Sequence, residues 1–145
     1  MSVTQVIDDQ YLPLWSALLE ASGLPTDDLN AVNWASRLGV IEDRELVAAG
    51  GIEFVGDCFL LRSVVTRFDR RNSGYGTVLV NALHGAFENL IADGLYLLTI
   101  DSAEFFRDKF GYRITDRSEA PSGIQLSAQF SRLCPDSAVL MRWSP

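Results

Sequence analysis

At 145 residues, 48% of them hydrophobic, and with a formal charge of -7, the chain holds apolar material for one core, and we read 1–145 as a single domain. The acidic balance argues against nucleic acid and anionic membrane as partners, no apolar run approaches the ~20 residues that cross a bilayer, and the amino terminus is acidic where a leader would be basic. We therefore expect a cytoplasmic protein, with two cysteines and one histidine too sparse for a disulfide framework or a zinc site.

Taken in chain order, Ser2 to Ile7 alternates as a short strand. Asp8 or Asp9 then caps a helix through Ala21, with Pro13 in the tolerated first turn and Leu12, Trp15, Leu18 and Leu19 as its inner face. Gly23-Leu24-Pro25 breaks it, and Thr26 caps a second, short helix toward Trp34. Two short helices ahead of the main sheet are either a cover over a substrate or a plain helical layer. A meander follows: a strand over Leu38–Ile41, a turn at Glu42-Asp43-Arg44, a strand over Leu46–Phe54, a turn at Gly56-Asp57 and a strand over Cys58–Thr66. Gly50-Gly51 inside the middle strand predicts a bulge or a close backbone approach, and Glu53 sits just beyond it.

The polar stretch Arg67 to Ser73 ends the third strand, and Gly74-Tyr75-Gly76 opens a helix whose apolar face is Val78, Leu79, Ala82, Leu83, Ala86, Phe87, Leu90 and Ile91, with Gly94 as its stop. Such a turn gathers unpaired N–H groups at the positive end of a helix, an anion site where a Cβ would keep a phosphate out; the alternative is a glycine turn that only reverses the chain. Arg67, Arg70 and Arg71 form a local basic patch beside it. A P-loop needs Lys-Ser/Thr where Thr77-Val78 stands, and a dinucleotide fingerprint needs a third glycine where Leu79 stands, so neither fits.

Leu95–Ile100 is a continuous apolar strand, expected to be buried on both faces and, after a helical crossover, parallel to the 58–66 strand. Asp101 or Ser102 caps a helix containing Ala103, Phe105, Phe106 and Lys109 that stops near Gly111. Tyr112–Thr115 is strand-like, 116–132 is polar and partly helical, and Ser137–Trp143 is the closing strand.

Arg71-Asn72-Ser73-Gly74-Tyr75-Gly76 has the form Arg/Gln-x-x-Gly-x-Gly/Ala, and behind Val64-Val65 it resembles the pyrophosphate loop of the Gcn5-related N-acetyltransferases. Arg67 stands where that family often has proline and Asn72 where it has glycine; asparagine also accepts left-handed backbone. Ala103-x-x-Phe106…Phe110-Gly111-Tyr112 resembles the family's second signature, so the likeness spans the chain. It implies an α/β (α+β) fold, a mixed twisted sheet of six or seven strands with about four helices, strands four and five parallel and splayed. Leu24-Pro25-x-x-Asp28-Leu29, Leu60-Leu61-Arg62-Ser63, Tyr96-Leu97-Leu98-Thr99 and Ala128-Gln129-Phe130…Leu133-Cys134-Pro135-x-Ser137-Ala138 resemble its arsenic-resistance branch.

The resemblance implies an acetyl-coenzyme A-dependent transfer to the amine of a small amino-acid-like molecule, by direct attack through a tetrahedral intermediate, with a homodimer compatible; an acyl-coenzyme A sensor of the same fold is the alternative. The cofactor would lie on Val64, Val65, Arg71, Asn72, Ser73, Gly74, Tyr75, Gly76, Thr77 and Phe106, and the Val64 amide would face the oxyanion. Glu53 is the candidate base, or an exposed strand carboxylate. Arg62, a charge inside an apolar strand, must meet an anion, either a substrate carboxylate or Glu53 itself. Ser63 and Leu24 join it on the substrate side, Ser63 as a hydroxyl contact or as filler. The family's acid, a tyrosine four residues before Gly111, is Arg107 here, leaving Tyr112 and Cys134 as stand-ins; His84 is expected in a surface or packing role.

Overall fold

The computed structural model describes residues 2–90, 92–133 and 137–145. Its elements are β1 (Ser2–Val6), α1 (Leu12–Ala21), β2 (Trp34–Glu42), β3 (Glu45–Val55), β4 (Cys58–Thr66), α2 (Tyr75–Glu88), β5 (Leu95–Thr99), α3 (Ala103–Phe110), β6 (Arg113–Thr115), α4 (Ser122–Leu126) and β7 (Val139–Trp143). They build a seven-stranded mixed sheet in the order β1-β2-β3-β4-β5-β7-β6, antiparallel except for β4 and β5. This is the architecture expected from the sequence.

Alternation along the strands feeds two faces. On one, Leu38, Val40, Ile52, Phe59, Leu61, Leu95, Leu97 and Met141 meet Leu79, Val80, Leu83 and Phe87 of α2 and Phe106 of α3. On the other, Ala49 and Val65 meet Trp15 and Leu19 of α1, while Leu60 and Leu140 meet Ile124 of α4. Leu95 and Leu97 look to the α2 side and Tyr96 and Leu98 to the α4 side, so β5 is covered on both faces, but the strand stops at Thr99, and Ile100, expected to be buried with it, is 61% exposed.

Several boundaries differ from expectation, three of them substantially. The second helix is a single turn at Leu29–Ala31, because Trp34 is drawn into β2 opposite Glu53 and the Asp28 carboxylate goes to Arg62. β2 is accordingly longer than Leu38–Ile41 and runs from Trp34. α2 ends at Glu88, where the Asn89 amide bonds the carbonyls of Ala86 and Phe87, short of the expected stop at Gly94. Gly94 serves another need, since a Cβ there would lie 2.6 Å from Arg142 Nε. Ile91, the last residue of the expected helical face, lies outside the described residues. The face is also broader than its spacing predicts: Val78 is 49% exposed whereas Val80 and His84 are buried, because α3 and Trp143 close over α2. Among the described residues no helix is long and apolar enough to cross a membrane.

Candidate active site

Gly74 has φ 88 and no described residue within 4 Å of where its Cβ would stand, so the left-handed backbone alone demands glycine. Asn72, two residues earlier, is left-handed too at φ 65, as its residue type permits. Gly76 is different. Its φ is not positive, and a Cβ would make ordinary contacts at 3.6 Å to Thr66 Oγ1 and 3.7 Å to Phe105 Cζ. Neither strain nor packing requires glycine there, and in a helix glycine is worse than alanine by about 1 kcal/mol, so the missing side chain suits a ligand that approaches the backbone closely. No side chain caps α2, and the Val78 amide is the one bonded to the Gly74 carbonyl. The amides of Tyr75, Gly76 and Thr77 therefore lie in the first turn, where a helix leaves donors unpaired.

Three arginines border this turn, and the structure separates them. Arg67 is held by Glu45 at 2.8 Å and Asp69 at 2.7 Å, and Arg70 by Glu42 at 3.1 Å. Bonding to Arg67 lowers the Asp69 carboxyl below its usual range. The expected basic patch is thus largely neutralised. Exposed Arg71 instead reaches the Thr66 carbonyl and the Ser22 hydroxyl and stacks over Phe68 with 5.1 Å to the ring centroid. The Tyr75 hydroxyl binds Glu42, so its ring anchors α2 to the β2–β3 hairpin.

Beside the turn the sheet opens. β4 and β5 pair only at Phe59↔Leu95 and Leu60↔Tyr96, which leaves the β5-facing edge of β4 beyond Leu60 without a strand neighbour. On its other edge β4 carries a bulge: Ala49 pairs with Val65 but Gly51 pairs with Arg62, so one extra β4 residue is accommodated. The extra residue reverses the alternation, sending Val64 to the α2 side and Val65 to the α1 side. The glycine pair in β3 makes this possible. A Cβ on Gly50 would stand 2.9 Å from Val64 Cγ2, and one on Gly51 would overlap the Trp34 ring. The bulge expected from Gly50-Gly51 therefore lies in the partner strand, and the glycines supply the close approach.

Ser63 sits at the bulge with φ 58 and is the one non-glycine residue with positive φ inside a strand among the described residues. Such a conformation costs about 1–3 kcal/mol and persists only where its surroundings hold it. Here the Trp15 indole N–H donates to the Ser63 carbonyl at 2.9 Å, and Arg62 Nε donates to Ser63 Oγ at 3.2 Å.

Arg62 is almost wholly buried. Its Nη1 and Nη2 grip Asp28 at 2.8 and 2.7 Å, Nη1 also reaches Glu53 at 3.1 Å, and the guanidinium lies 5.7 Å from the Trp34 ring centroid. Burial works against its charge, but Asp28 and Glu53 outweigh that, and the guanidinium is held above its ordinary pKa. Arg62 therefore does not stand free for a substrate carboxylate, and of the two anions expected from sequence it has Glu53, together with Asp28. Both carboxylates keep 12% of their side-chain surface exposed. Asp28 escaped the sequence reading because an acid just ahead of a short helix looks like a cap. Trp15 and Trp34, which contact each other at 4.9 Å between centroids, were legible only as core.

The remaining candidates separate clearly. Phe106 is buried in the core and it is Phe105 that approaches Gly76. Leu24 closes α1 by bonding its amide to the Leu19 carbonyl, with its side chain 37% exposed. Arg107, in place of the family's tyrosine, is exposed beside Asp108. The Tyr112 hydroxyl is spent on His84 Nε2 at 2.8 Å inside the core, and burial raises its pKa. His84 stacks on Trp143 at 3.9 Å, a packing role, and burial lowers its pKa to about 4. Cys134 lies outside the described residues. A hollow of about 480 Å³ lined by Asp9, Leu12, Leu29, Trp34 and Arg37 sits behind Trp34, away from the glycine turn.

No protein-family model and no curated protein matches the sequence. Solved structures do match the fold. An acetyltransferase of the GNAT family from Staphylococcus aureus is similar with a TM-score of 0.78 at 18% identity, over 99% of each chain. A Mycobacterium tuberculosis protein crystallised with coenzyme A gives 0.78 at 15% identity, again over 99% of each chain. N-acetylglutamate synthase from Neisseria gonorrhoeae, crystallised with coenzyme A and N-acetyl-glutamate, gives 0.81 at 15% identity over 99% of this chain but 35% of its own. The chain has the GNAT fold.

Proposed function

We propose that this chain is an N-acetyltransferase using acetyl-coenzyme A as donor and a small amine as acceptor. The observation that carries the reading is the pairing of an uncapped helix start, with glycine at position 76 where neither strain nor packing requires it, and a sheet that opens directly beside it between β4 and β5. Coenzyme A needs both: donors for a pyrophosphate and an unpartnered strand edge for the amide-bearing pantetheine arm. The coenzyme A found in structures of the same fold supports the assignment.

The thioester supplies an acetyl group already activated toward amines. Around it the chain's own groups have separate tasks. The amides of Ser73 to Thr77 hold the diphosphate at the positive end of α2, and Arg71 adds a charge from the rim. Val64 and Val65 offer backbone pairing to the arm, and the Val64 amide, reoriented by the bulge, donates to the carbonyl oxygen as charge develops on it. Attack by the neutral amine forms the C–N bond; collapse breaks the C–S bond. Glu53, partly exposed at the edge of the ionic cluster, accepts the amine proton directly or through water. With Arg107 where a tyrosine would donate, the leaving thiolate takes its proton from solvent.

The fold alone does not choose the acceptor. The narrower arsenic-resistance reading supplies an amino-acid-like acceptor, but it needs a cation for the carboxylate, and Arg62, chosen for that task, is already engaged by Asp28 and Glu53. We therefore carry the amine forward without the carboxylate. The sensor alternative rests on Arg107 alone.

Thermal shift with acetyl-coenzyme A against inorganic phosphate tests the donor site, with stabilisation expected from the first and not the second. Release of free thiol across a panel of amines and amino acids then tests transfer. No stabilisation would overturn the reading; stabilisation without thiol release would favour a sensor.

A further inference from the structure

We propose that Trp15 is a positioning residue for the reaction: its indole N–H holds the Ser63 carbonyl so that the next amide, Val64, points to the reacting carbonyl. This rests on the acetyl-transfer reading above and extends it to a residue in another element of the chain. Ser63 is the backbone outlier of β4. A serine inside a strand has no local reason to take φ 58, since its side chain is L-configured and the turn residues that favour such backbone are absent around it. The conformation must be imposed from outside the strand.

Two contacts hold it, one from α1 and one from the neighbouring Arg62 of β4, whose own anchor lies outside the strand. Trp15, fully buried on α1, donates to the Ser63 carbonyl at 2.9 Å and so takes a group that regular pairing would have engaged in the ladder. Arg62 donates to Ser63 Oγ and is itself clamped by Asp28 from the loop after α1. Trp34 packs against both Trp15 and the Arg62 guanidinium and keeps the pair in place. A peptide plane carries the carbonyl of Ser63 and the amide of Val64 together, on opposite sides of one rigid unit. Fixing the carbonyl on Trp15 therefore fixes the direction of the amide. Helix α1 and its following loop, which the sequence marks as a substrate cover or a plain helical layer, thereby set the geometry of the oxyanion donor.

The decisive variant is Trp15→Phe, which keeps an aromatic ring in the core and deletes the donor. We expect kcat to fall about tenfold with KM for acetyl-coenzyme A unchanged within about twofold, and the Val64 amide resonance in a 15N spectrum to shift more than those of Leu95 and Leu97 in β5. Adding Ser63→Gly should restore part of kcat, because glycine holds a positive φ without help. A purely structural tryptophan predicts a lower melting temperature with kcat per folded molecule intact, no selective change at Val64 and no rescue; that result overturns the proposal. If the native protein is neither stabilised by acetyl-coenzyme A nor releases thiol, the acetyl-transfer reading fails first, and the Val64 resonance still reports whether Trp15 sets the amide.

Discussion

The glycine turn and Arg62 belong to one strand-turn-helix unit, yet the turn and the cluster around Arg62 treat polar groups in opposite ways. The turn leaves backbone donors open at the start of α2, with no side-chain cap and no side chain at Gly76. The cluster closes one guanidinium over two carboxylates, a hydroxyl and a ring, with Arg62 1% exposed. The first arrangement is completed by something outside the chain; the second satisfies its guanidinium within the chain and leaves only the exposed edge of Glu53 for a substrate amine. Residue type misleads here, since an arginine in an apolar strand advertises an anionic ligand just as a glycine turn does.

The largest effect should come from breaking the closed side. Arg62→Met leaves Asp28 and Glu53 facing each other without their cation, and loss of one partner from a buried ionic group costs about 3–5 kcal/mol. Denaturant unfolding should record that loss. The triple change Arg62→Met, Asp28→Asn, Glu53→Gln should recover most of it, because the unpaired charges go together. A single variant as stable as the native chain would mean that the cluster is not the closed unit described.

The open side predicts the reverse pattern. In Gly76→Val the KM for acetyl-coenzyme A should rise about 100-fold as charge-assisted contacts to the diphosphate are lost, while Gly76→Ala, whose Cβ makes only ordinary contacts with Thr66 and Phe105, should keep the native stability or gain slightly. If binding survives in the valine variant, the ligand does not approach Gly76.

How far each side was legible follows from what specifies it. The turn is local: strand, Gly-x-Gly and helix periodicity are adjacent in sequence, and Asn72 and Gly74 have the backbone their types suggest. The mixed sheet, with strands four and five parallel and parting, was likewise visible through the resemblance, whereas the insertion of β7 between β5 and β6 was not. The cluster joins Asp28, Trp34, Glu53 and Arg62 across four elements, and no spacing within one element encodes that. Gly50-Gly51 lies between the two cases. The pair marked a constraint correctly, but only the fold shows that the bulge belongs to β4 and that each glycine clears a different neighbour.

A third buried polar group sharpens the contrast by pH. His84 holds no ionic partner in its stack with Trp143 and Tyr112, and its pKa falls to about 4 from 6.5. Below 6.5 the unfolded chain binds a proton that the folded chain refuses, so stability is present above that value and is lost as pH falls toward 4. The loss should reach about 2 kcal/mol by pH 5. His84→Phe should flatten this part of the pH–stability curve; an unchanged slope would assign it to the carboxylates.

The smallest effect divides the arginines beside the turn. Sequence treats Arg67, Arg70 and Arg71 alike, but Arg67 and Arg70 are committed to Glu45, Asp69 and Glu42 while Arg71 rests on neutral acceptors and a ring. An exposed cation reaching a phosphate contributes on the order of 1 kcal/mol, less as salt screens it. Arg71→Ala should therefore raise the KM for acetyl-coenzyme A a few-fold at low ionic strength and less at high, with kcat nearly unchanged. Arg67→Ala should leave KM within about twofold, because its charge is already matched by carboxylates that the variant sets free. Equal effects from the two would mean that the diphosphate draws Arg67 away from Glu45 and Asp69, and that the neutralised patch becomes basic when the ligand arrives.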